Sequence, residues 1–115
     1  MNIDMYGIPN CGTLKKARRW LKERNITYTF HNYKKEGIDL STLVAWSEQV
    51  TWETLLNKRG TTWRKLSEVE KEGLNKSKAL NLLAQHTSMI KRPILVVDDK
   101  IWVGFSEEIY AGIFQ

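Results

Sequence analysis

The sequence predicts an α/β fold in a single domain, residues 1–115, in which a βαβ unit and a ββα unit flank an all-helical insert. Three observations carry this prediction. A short apolar segment, a helical pattern and a second strand pattern fill about thirty residues, the length of a βαβ unit. Helical patterns without a strand then occupy approximately residues 40–88. Two further strand patterns and an amphipathic helix complete the chain.

The first strand and the first helix are joined by a short turn. An apolar strand at Ile3 to Tyr6 precedes the turn residues Gly7, Pro9 and Asn10. The chain's one cysteine, Cys11, follows, and a helical pattern begins beside it. Spacings of three and four place the apolar residues of this helix on one face and the cations on the other. The apolar face consists of Leu14, Ala17, Trp20 and Leu21.

A second strand and a helical region follow. Thr27 to His31 alternates β-branched and aromatic residues, which predicts a strand. The polar segment from Asn32 to Asp39 contains Gly37 and is interpreted as a loop. Five helices are then expected, the first with Ser41 as its cap: Leu40–Glu48, Thr51–Asn57, Trp63–Leu66, Ser67–Glu72 and Ser77–His86. Lys58 to Thr62 reads as a basic turn in which Gly60 ends the preceding helix.

The last part of the chain predicts a β-hairpin and a helix. Pro93 opens the apolar run Ile94 to Val97, and a proline is permitted at the first residue of a strand. Asp98, Asp99 and Lys100 form the expected tight turn before a returning strand at Ile101 to Val103. Ser106 is the expected cap of the terminal helix, because two glutamates and an apolar periodicity follow it.

The composition bears on the cellular compartment, on membrane contact and on metal binding. The 115 residues include 42% hydrophobic and 27% charged side chains, ordinary values for a globular domain. No apolar run has membrane-spanning length and no signal-peptide pattern opens the chain, so we expect a cytoplasmic protein without membrane contact. A single cysteine agrees with a reducing compartment. His31 and His86 have no ligand-spaced partners, so we expect no metal site and interpret both as structural.

The net charge of +5 indicates either solvated basic helix faces or a small anionic substrate. We interpret the cations as dispersed, and no helix-turn-helix or RNP-like pattern accompanies them. Nucleic-acid binding is therefore disfavoured. Nothing in the sequence requires more than a monomer.

The position of Cys11 predicts a nucleophile. A thiol at the first turn of a helix faces unpaired N–H groups and the positive end of the macrodipole. Both lower a thiol pKa, and the thiolate is the reactive form. The alternative from the residues alone is a small buried hydrophobic side chain, a common environment for free cysteine.

Five sequence blocks resemble the ArsC (arsenate-reductase-like) family, and within it the YffB-type branch. The blocks are Tyr6-Gly7-Ile8-Pro9-Asn10-Cys11, Lys15-Lys16-Ala17, His31-Asn32-Tyr33-Lys34, Asn57 to Leu66, and Ile90-Lys91-Arg92-Pro93-Ile94. The resemblance extends over essentially the whole chain. It implies a thioredoxin-like fold with a four-stranded mixed sheet.

The resemblance also implies an anion site. In the arsenate reductases three arginines serve the nucleophilic cysteine, which matches Cys11. One arginine, beside a proline that is usually cis, matches Arg92 before Pro93. The second falls at Asn57 and the third near Gly104, so neither is an arginine here.

Other cations and polar residues complete the implied site. Lys58 and Arg59 adjoin the position of the second arginine and are candidates for binding an anion. The alternative is that they satisfy the carbonyls of a helix end. Asn10 and Thr13 flank the cysteine and, together with Arg92 and Pro93, belong to the expected set of residues that bind glutathione or substrate, although Asn10 also suits a turn residue or cap.

A one-cysteine reductase follows as the expected activity. No bound cofactor is expected, and glutathione is the expected co-substrate because the chain has no second cysteine to resolve an intermediate. The substrate would be a small anion or an oxidised thiol, with glutaredoxin a further candidate partner. The alternatives are arsenate reduction and a non-enzymatic, RNA-polymerase-binding module like the Spx branch. The Cys-x-x-Cys switch of that branch is absent, because Leu14 holds the second position.

Overall fold

The computed structural model describes residues 1–115 and divides the chain into two compact units. One unit combines Met1–Glu36 with Arg92–Gln115, and the other is Gly37–Lys91. None of the helices has the length and apolar character needed to cross a membrane.

The first unit contains a four-stranded sheet in the order β2-β1-β3-β4. Its strands are β1 (Ile3–Gly7), β2 (Thr29–Asn32), β3 (Ile94–Val97) and β4 (Lys100–Val103). β1 pairs parallel with β2 and antiparallel with β3, which pairs antiparallel with β4. The predicted βαβ and ββα order and the thioredoxin-like mixed sheet are therefore confirmed.

Three helices belong to the sheet unit: α1 (Gly12–Glu23), α2 (Tyr33–Glu36) and α8 (Glu107–Phe114). The apolar face predicted for α1 is fully or nearly fully buried. It joins side chains of β1, β3 and α8 in one core cluster: Met5, Leu14, Ala17, Trp20, Leu21, Leu95, Val97 and Tyr110. Ser106 caps α8 as predicted, because its Oγ accepts the Ile109 N–H at 3.2 Å.

The second unit is helical. It contains α3 (Leu40–Ser47), α4 (Trp52–Leu55), α5 (Thr61–Lys65), α6 (Glu68–Lys71), α7 (Lys76–Gln85) and a 3₁₀ turn at Thr87–Met89. One antiparallel bridge between Leu56 and Ile90 adds a short extended pairing to this unit. The bridge is flanked by two backbone hydrogen bonds of 2.8 Å, from Asn57 to Met89 and from Lys91 to Leu55.

The segment predicted as a loop, Asn32 to Asp39, instead contains α2. The Asn32 side chain explains this difference, because its Oδ1 accepts the N–H groups of Lys34 at 3.1 Å and Lys35 at 3.2 Å. The Glu36 carboxylate in turn accepts a hydrogen bond from the Asn32 N–H at 3.1 Å. This reciprocal capping stabilises a short helix whose polar composition had suggested a loop.

Three smaller predictions were wrong. Ser41 does not cap α3: the N-cap is Asp39, two residues earlier, and Ser41 lies in the first turn of the helix. Gly60 does not end a helix; it is the N-cap of α5, with φ −80°, a conformation that requires no glycine. Lys100 belongs to β4 because the positive φ angles of Asp98 and Asp99 complete the turn before it.

Candidate active site

Cys11 lies where the end of β1 meets the start of α1. It is the N-cap of the helix, with extended backbone angles of φ −101° and ψ 127°. Its N–H donates to the Ile8 carbonyl at 3.3 Å, and its own carbonyl accepts the Lys15 N–H at 3.0 Å. The side chain is partly exposed. The thiol is thus held at a fixed place and can still be reached from solvent.

Gly7 allows the helix to pack close to the strand. A Cβ at Gly7 would lie 2.9 Å from Cδ1 of Leu14, which is less than any normal contact. Leu14 is completely buried and sits in the first turn of α1. The absence of a side chain at residue 7 therefore sets the approach of the helix start, and with it the position of Cys11.

The surroundings of Cys11 favour its thiolate. Burial is the largest influence and raises the pKa, but the backbone N–H groups of Leu14 and Thr13, followed by the Arg92 side chain, outweigh it. The pKa of the thiol therefore lies below its ordinary value. The first turn of α1 carries no acidic side chain that would compete for these donors. The sequence prediction of a lowered pKa agrees with this arrangement.

Arg92 lies beside Cys11, where β3 is about to begin. The Arg92–Pro93 peptide bond is cis, the form that the resemblance implied. Pro93 is buried, and its carbonyl accepts the Gly104 N–H at 2.8 Å. The Arg92 side chain hydrogen-bonds to the Cys11 sulfur, and both this hydrogen bond and the Arg92 charge lower the pKa of the thiol.

Tyr33 is a site residue that the sequence analysis missed. It follows β2 directly and is 1% exposed. Burial raises the pKa of the Tyr33 phenol well above the usual range. The Tyr33 hydroxyl is hydrogen-bonded to the Arg92 guanidinium, which lowers this pKa by a smaller amount. The signal available in the sequence was a large aromatic residue inside a segment interpreted as a polar loop.

The sheet topology explains why these three residues meet. Cys11 follows β1 and Tyr33 follows β2, and parallel strands end at the same edge of a sheet. Arg92 precedes β3, which is antiparallel to β1 and so begins at that edge. Three segments distant in sequence therefore place a thiol, a phenol and a guanidinium together.

The other predicted residues take different positions. Thr13 is exposed and acts on Cys11 through its backbone N–H. Asn10 is exposed. Lys58 and Arg59 belong to the Gly37–Lys91 unit, where the Lys58 ammonium lies 5.4 Å from the Trp63 ring centroid. Their part in binding an anion stays a prediction.

The positions of the two missing arginines are also defined. Asn57 bonds within its own unit, where its Oδ1 accepts the Arg59 N–H at 3.1 Å. Gly104 has φ +87°, a conformation that disfavours any side chain. One guanidinium, from Arg92, therefore accompanies the thiol in the sheet unit. This arrangement can activate a sulfur nucleophile and hold one negative group beside it.

Comparison with known proteins gives a consistent family. The model of the ArsC family matches residues 6–113. An uncharacterised protein of Haemophilus influenzae is 46% identical over 112 residues, covering 97% of this chain and 98% of that protein. The global transcriptional regulator Spx of Streptococcus mutans is a more distant relative, 25% identical over 109 residues, with 92% and 78% covered.

Solved structures give the same result. The structure named YFFB (PA3664) protein superposes with a TM-score of 0.95 at 44% identity, covering 99% of this chain and all of the other. An arsenate reductase (ArsC) related protein from Brucella melitensis has a TM-score of 0.77 at 47% identity, with 100% and 96% covered. The fold and these matches agree, and the chain belongs to the ArsC family.

Proposed function

We propose that this protein is a glutathione-dependent thiol reductase in which Cys11 is the only nucleophile. At family level, the relatives support a thiol-based reductase or an Spx-like regulator. The observation that carries the enzymatic proposal is the environment of Cys11. Its sulfur is partly exposed, has a lowered pKa and is hydrogen-bonded to Arg92.

The reaction proceeds by two thiol–disulfide exchanges. The Cys11 thiolate attacks the glutathione sulfur of a mixed disulfide, forming a Cys11–glutathione disulfide and releasing the substrate thiolate, which takes up a proton. A second glutathione thiolate then attacks the glutathione sulfur of this intermediate. Glutathione disulfide leaves, and the electron pair of the broken bond returns to Cys11 as thiolate. In the net reaction one free glutathione is consumed: the mixed disulfide is reduced to the substrate thiol, and glutathione disulfide forms from that glutathione and the one the substrate carried.

The chain's other residues suit this sequence of steps. With one cysteine, no internal thiol can displace the first intermediate, so an external thiol must do so. Arg92 would hold a carboxylate of glutathione in a charge-assisted contact while lowering the pKa of the leaving Cys11 thiol. Lys58 and Arg59 are candidate helpers, and glutaredoxin is an alternative external reductant. A cytoplasmic location would supply the glutathione.

Arsenate reduction is the second candidate, because the Brucella relative is named as related to arsenate reductase. The residues argue against it. Asn57 and Gly104 occupy the positions where the resemblance to arsenate reductases leads us to expect arginines. Arsenate, a multiply charged oxyanion, would then have Arg92 as the one guanidinium placed at Cys11. A non-enzymatic regulator is the third candidate, supported by the Spx relative. Leu14 holds the position of the second cysteine, so such a regulator would work without the two-cysteine switch.

The test is a coupled turnover assay with purified protein. The substrate is the mixed disulfide of cysteine and glutathione, and formation of glutathione disulfide is followed with glutathione reductase. We expect turnover above the uncatalysed exchange for the natural sequence and none for Cys11→Ser. Circular dichroism and thermal unfolding of the variant should match the natural protein, because Cys11 is partly exposed and outside the fully buried core.

Three outcomes would contradict the proposal. Turnover retained by the Cys11→Ser variant would show that Cys11 is not the nucleophile. Glutathione consumption that depends on arsenate and exceeds consumption with the mixed disulfide would favour arsenate reduction. Inactivity of the natural sequence with both substrates would favour the regulator, whose partner binding should then survive the loss of Cys11.

A further inference from the structure

The exposed face of α1 carries an unbalanced positive charge. Six of the chain's 18 cations and one of its 13 carboxylates lie between Gly12 and Arg24, so the formal charge of this segment equals the +5 of the whole protein. The rest of the chain is neutral. From the sequence we interpreted the cations as dispersed, but the excess of positive over negative charge lies on this one segment. Its six cations are Lys15, Lys16, Arg18, Arg19, Lys22 and Arg24.

These charges are not neutralised within the molecule. All six side chains are exposed, and none of them forms an ion pair. Two are held by neighbours. Arg18 donates to the Tyr28 hydroxyl at 2.9 Å and lies 4.2 Å from the Phe30 ring centroid. Arg24 lies 3.8 Å from the Trp20 ring centroid. The charged groups of the other four form no ion pair and contact no aromatic ring. These four residues are called the α1 basic face: Lys15, Lys16, Arg19 and Lys22.

The α1 basic face begins at the nucleophile and extends beyond the reach of a small substrate. With a rise of 1.5 Å per residue, Lys22 lies about 16 Å along the helix axis from Cys11. A tripeptide spans at most about 11 Å. A ligand that lies along the whole length of this face, from Cys11 to the backbone of Lys22, is therefore longer than glutathione.

The distant end of this face also offers an apolar contact. A cleft of about 520 Å³ is lined by Arg18, Arg19, Lys22, Ile26, Thr27 and Tyr28. Ile26 and Tyr28 are partly exposed there. Cations beside a small apolar depression suit a protein surface with carboxylates around one apolar side chain.

We propose that the α1 basic face docks an acidic protein and presents an oxidised cysteine of that protein to Cys11. This inference rests on the proposed thiol chemistry and names the substrate class. Complementary charge raises the rate of encounter and orients the partner along the helix. A nucleic acid fits less well, because it brings no sulfur to Cys11. In addition, the aromatic rings of α1 and β2 are buried or covered by Arg18 and provide no platform for bases.

The test compares two peptide disulfides. Each probe is a peptide of the same length with one cysteine joined to 5-thio-2-nitrobenzoate, whose release is coloured. One probe carries glutamates around the cysteine and the other carries glutamines. In the exchange, the Cys11 thiolate bonds to the peptide sulfur, and the nitrobenzoate thiolate leaves with the electron pair of the broken bond. At low ionic strength we expect the glutamate probe to react at least about tenfold faster, with the advantage shrinking as salt is added.

A matched pair of variants locates the effect. The quadruple variant Lys15→Gln, Lys16→Gln, Arg19→Gln, Lys22→Gln should bring the ratio of the two rates close to one. The ratio is the readout because a change in the Cys11 pKa affects both probes equally. The control removes the same charge from other exposed cations and should keep the ratio: Arg64→Gln, Lys65→Gln, Lys76→Gln, Lys100→Gln.

The contradicting results are distinct. A ratio near one in the natural sequence, or a ratio that falls equally in both variants, would overturn the docking surface while leaving Cys11 as a nucleophile. Tight retention of an RNA oligonucleotide without faster reaction of the glutamate probe would assign the face to nucleic acid instead. Failure of Cys11 to react with either probe would overturn the proposed function, and the docking inference with it.

Discussion

Two buried tyrosines of the sheet unit show how differently its two regions are built. Tyr33 is 1% exposed and Tyr110 is completely buried, and burial raises the pKa of both phenols well above the usual range. Both therefore keep their protons at any physiological pH. Their neighbours differ. The Tyr33 hydroxyl is hydrogen-bonded to Arg92, whereas the Tyr110 hydroxyl is buried without a hydrogen-bond partner.

The two hydroxyl groups differ because one lies in an apolar core and the other lies in the active site. Tyr110 lies among aromatic rings, with centroids 5.6 Å from Trp20, 4.8 Å from Phe105 and 6.4 Å from Phe114. Packing of this kind offsets the cost of an unsatisfied hydroxyl, which is about 1–3 kcal/mol. At Tyr33 the hydroxyl instead holds the guanidinium that serves the thiol. One residue type thus stabilises the core in one region and orders the active site in the other.

The largest expected effect is a loss of folding stability when the core tyrosine, Tyr110, is truncated. Tyr110→Ala should lower the free energy of unfolding by about 3–5 kcal/mol, because a large buried ring is lost from a packed cluster. Urea denaturation measures this loss. Alkylation of Cys11 in the folded protein should follow the same pH profile as before. A loss below about 1 kcal/mol would contradict the role of Tyr110 in the core, and a shifted alkylation profile would show that the two regions are coupled.

The next effect concerns the cation shared by the thiol and Tyr33. Arg92→Ala should raise the pKa of Cys11, because the guanidinium stabilises the thiolate by hydrogen bonding and by its charge. Less thiolate is then present near neutral pH, and alkylation by iodoacetamide should slow several-fold. Arg64→Ala, which removes an exposed arginine of α5, is the matched control. Equal alkylation rates in the two variants would contradict the placement of Arg92.

The smallest effect separates the two hydroxyl groups. Tyr33→Phe should move the Cys11 alkylation profile to higher pH by less than Arg92→Ala does, because Arg92 stays but loses a partner that orients it. Tyr110→Phe should leave the profile unchanged and keep or increase stability, since it removes an unsatisfied polar atom. The distinction drawn between the two tyrosines fails if both phenylalanine variants shift the profile alike.

The sequence predicted the sheet unit well because its signals are local. Apolar strand patterns, the burial periodicity of α1 and the capping serine of α8 each follow from neighbouring residues, and the structure contains all three. The position of Cys11 at the start of α1 was readable for the same reason. The N-cap depends on a strand pattern and a helical pattern meeting at that residue.

The parts that could not be predicted depend on contacts between distant residues or on side-chain capping. Tyr33 became part of the site because β2 pairs with β1 and β3 begins at the same edge, which no local pattern shows. The α2 helix escaped prediction because Asn32 and Glu36 stabilise it reciprocally in a polar segment. The concentration of charge on α1 was overlooked because cations occur along the whole chain. Only a count by segment shows that the twelve cations outside α1 and its C-cap are matched by twelve carboxylates.

The start of α1 and the Arg92 side chain together hold Cys11 as a reactive thiolate. The most direct measurement is the rate of alkylation of Cys11 by iodoacetamide between about pH 5 and pH 10, beside the same protein unfolded in urea. The folded state favours the thiolate, so its rate should rise and level off at lower pH than that of the unfolded chain. The associated stabilisation is fully present above the unfolded pKa of about 8.5 and lost as the pH falls through the folded pKa. A folded-state profile that coincides with the unfolded one, or lies at higher pH, would contradict the account.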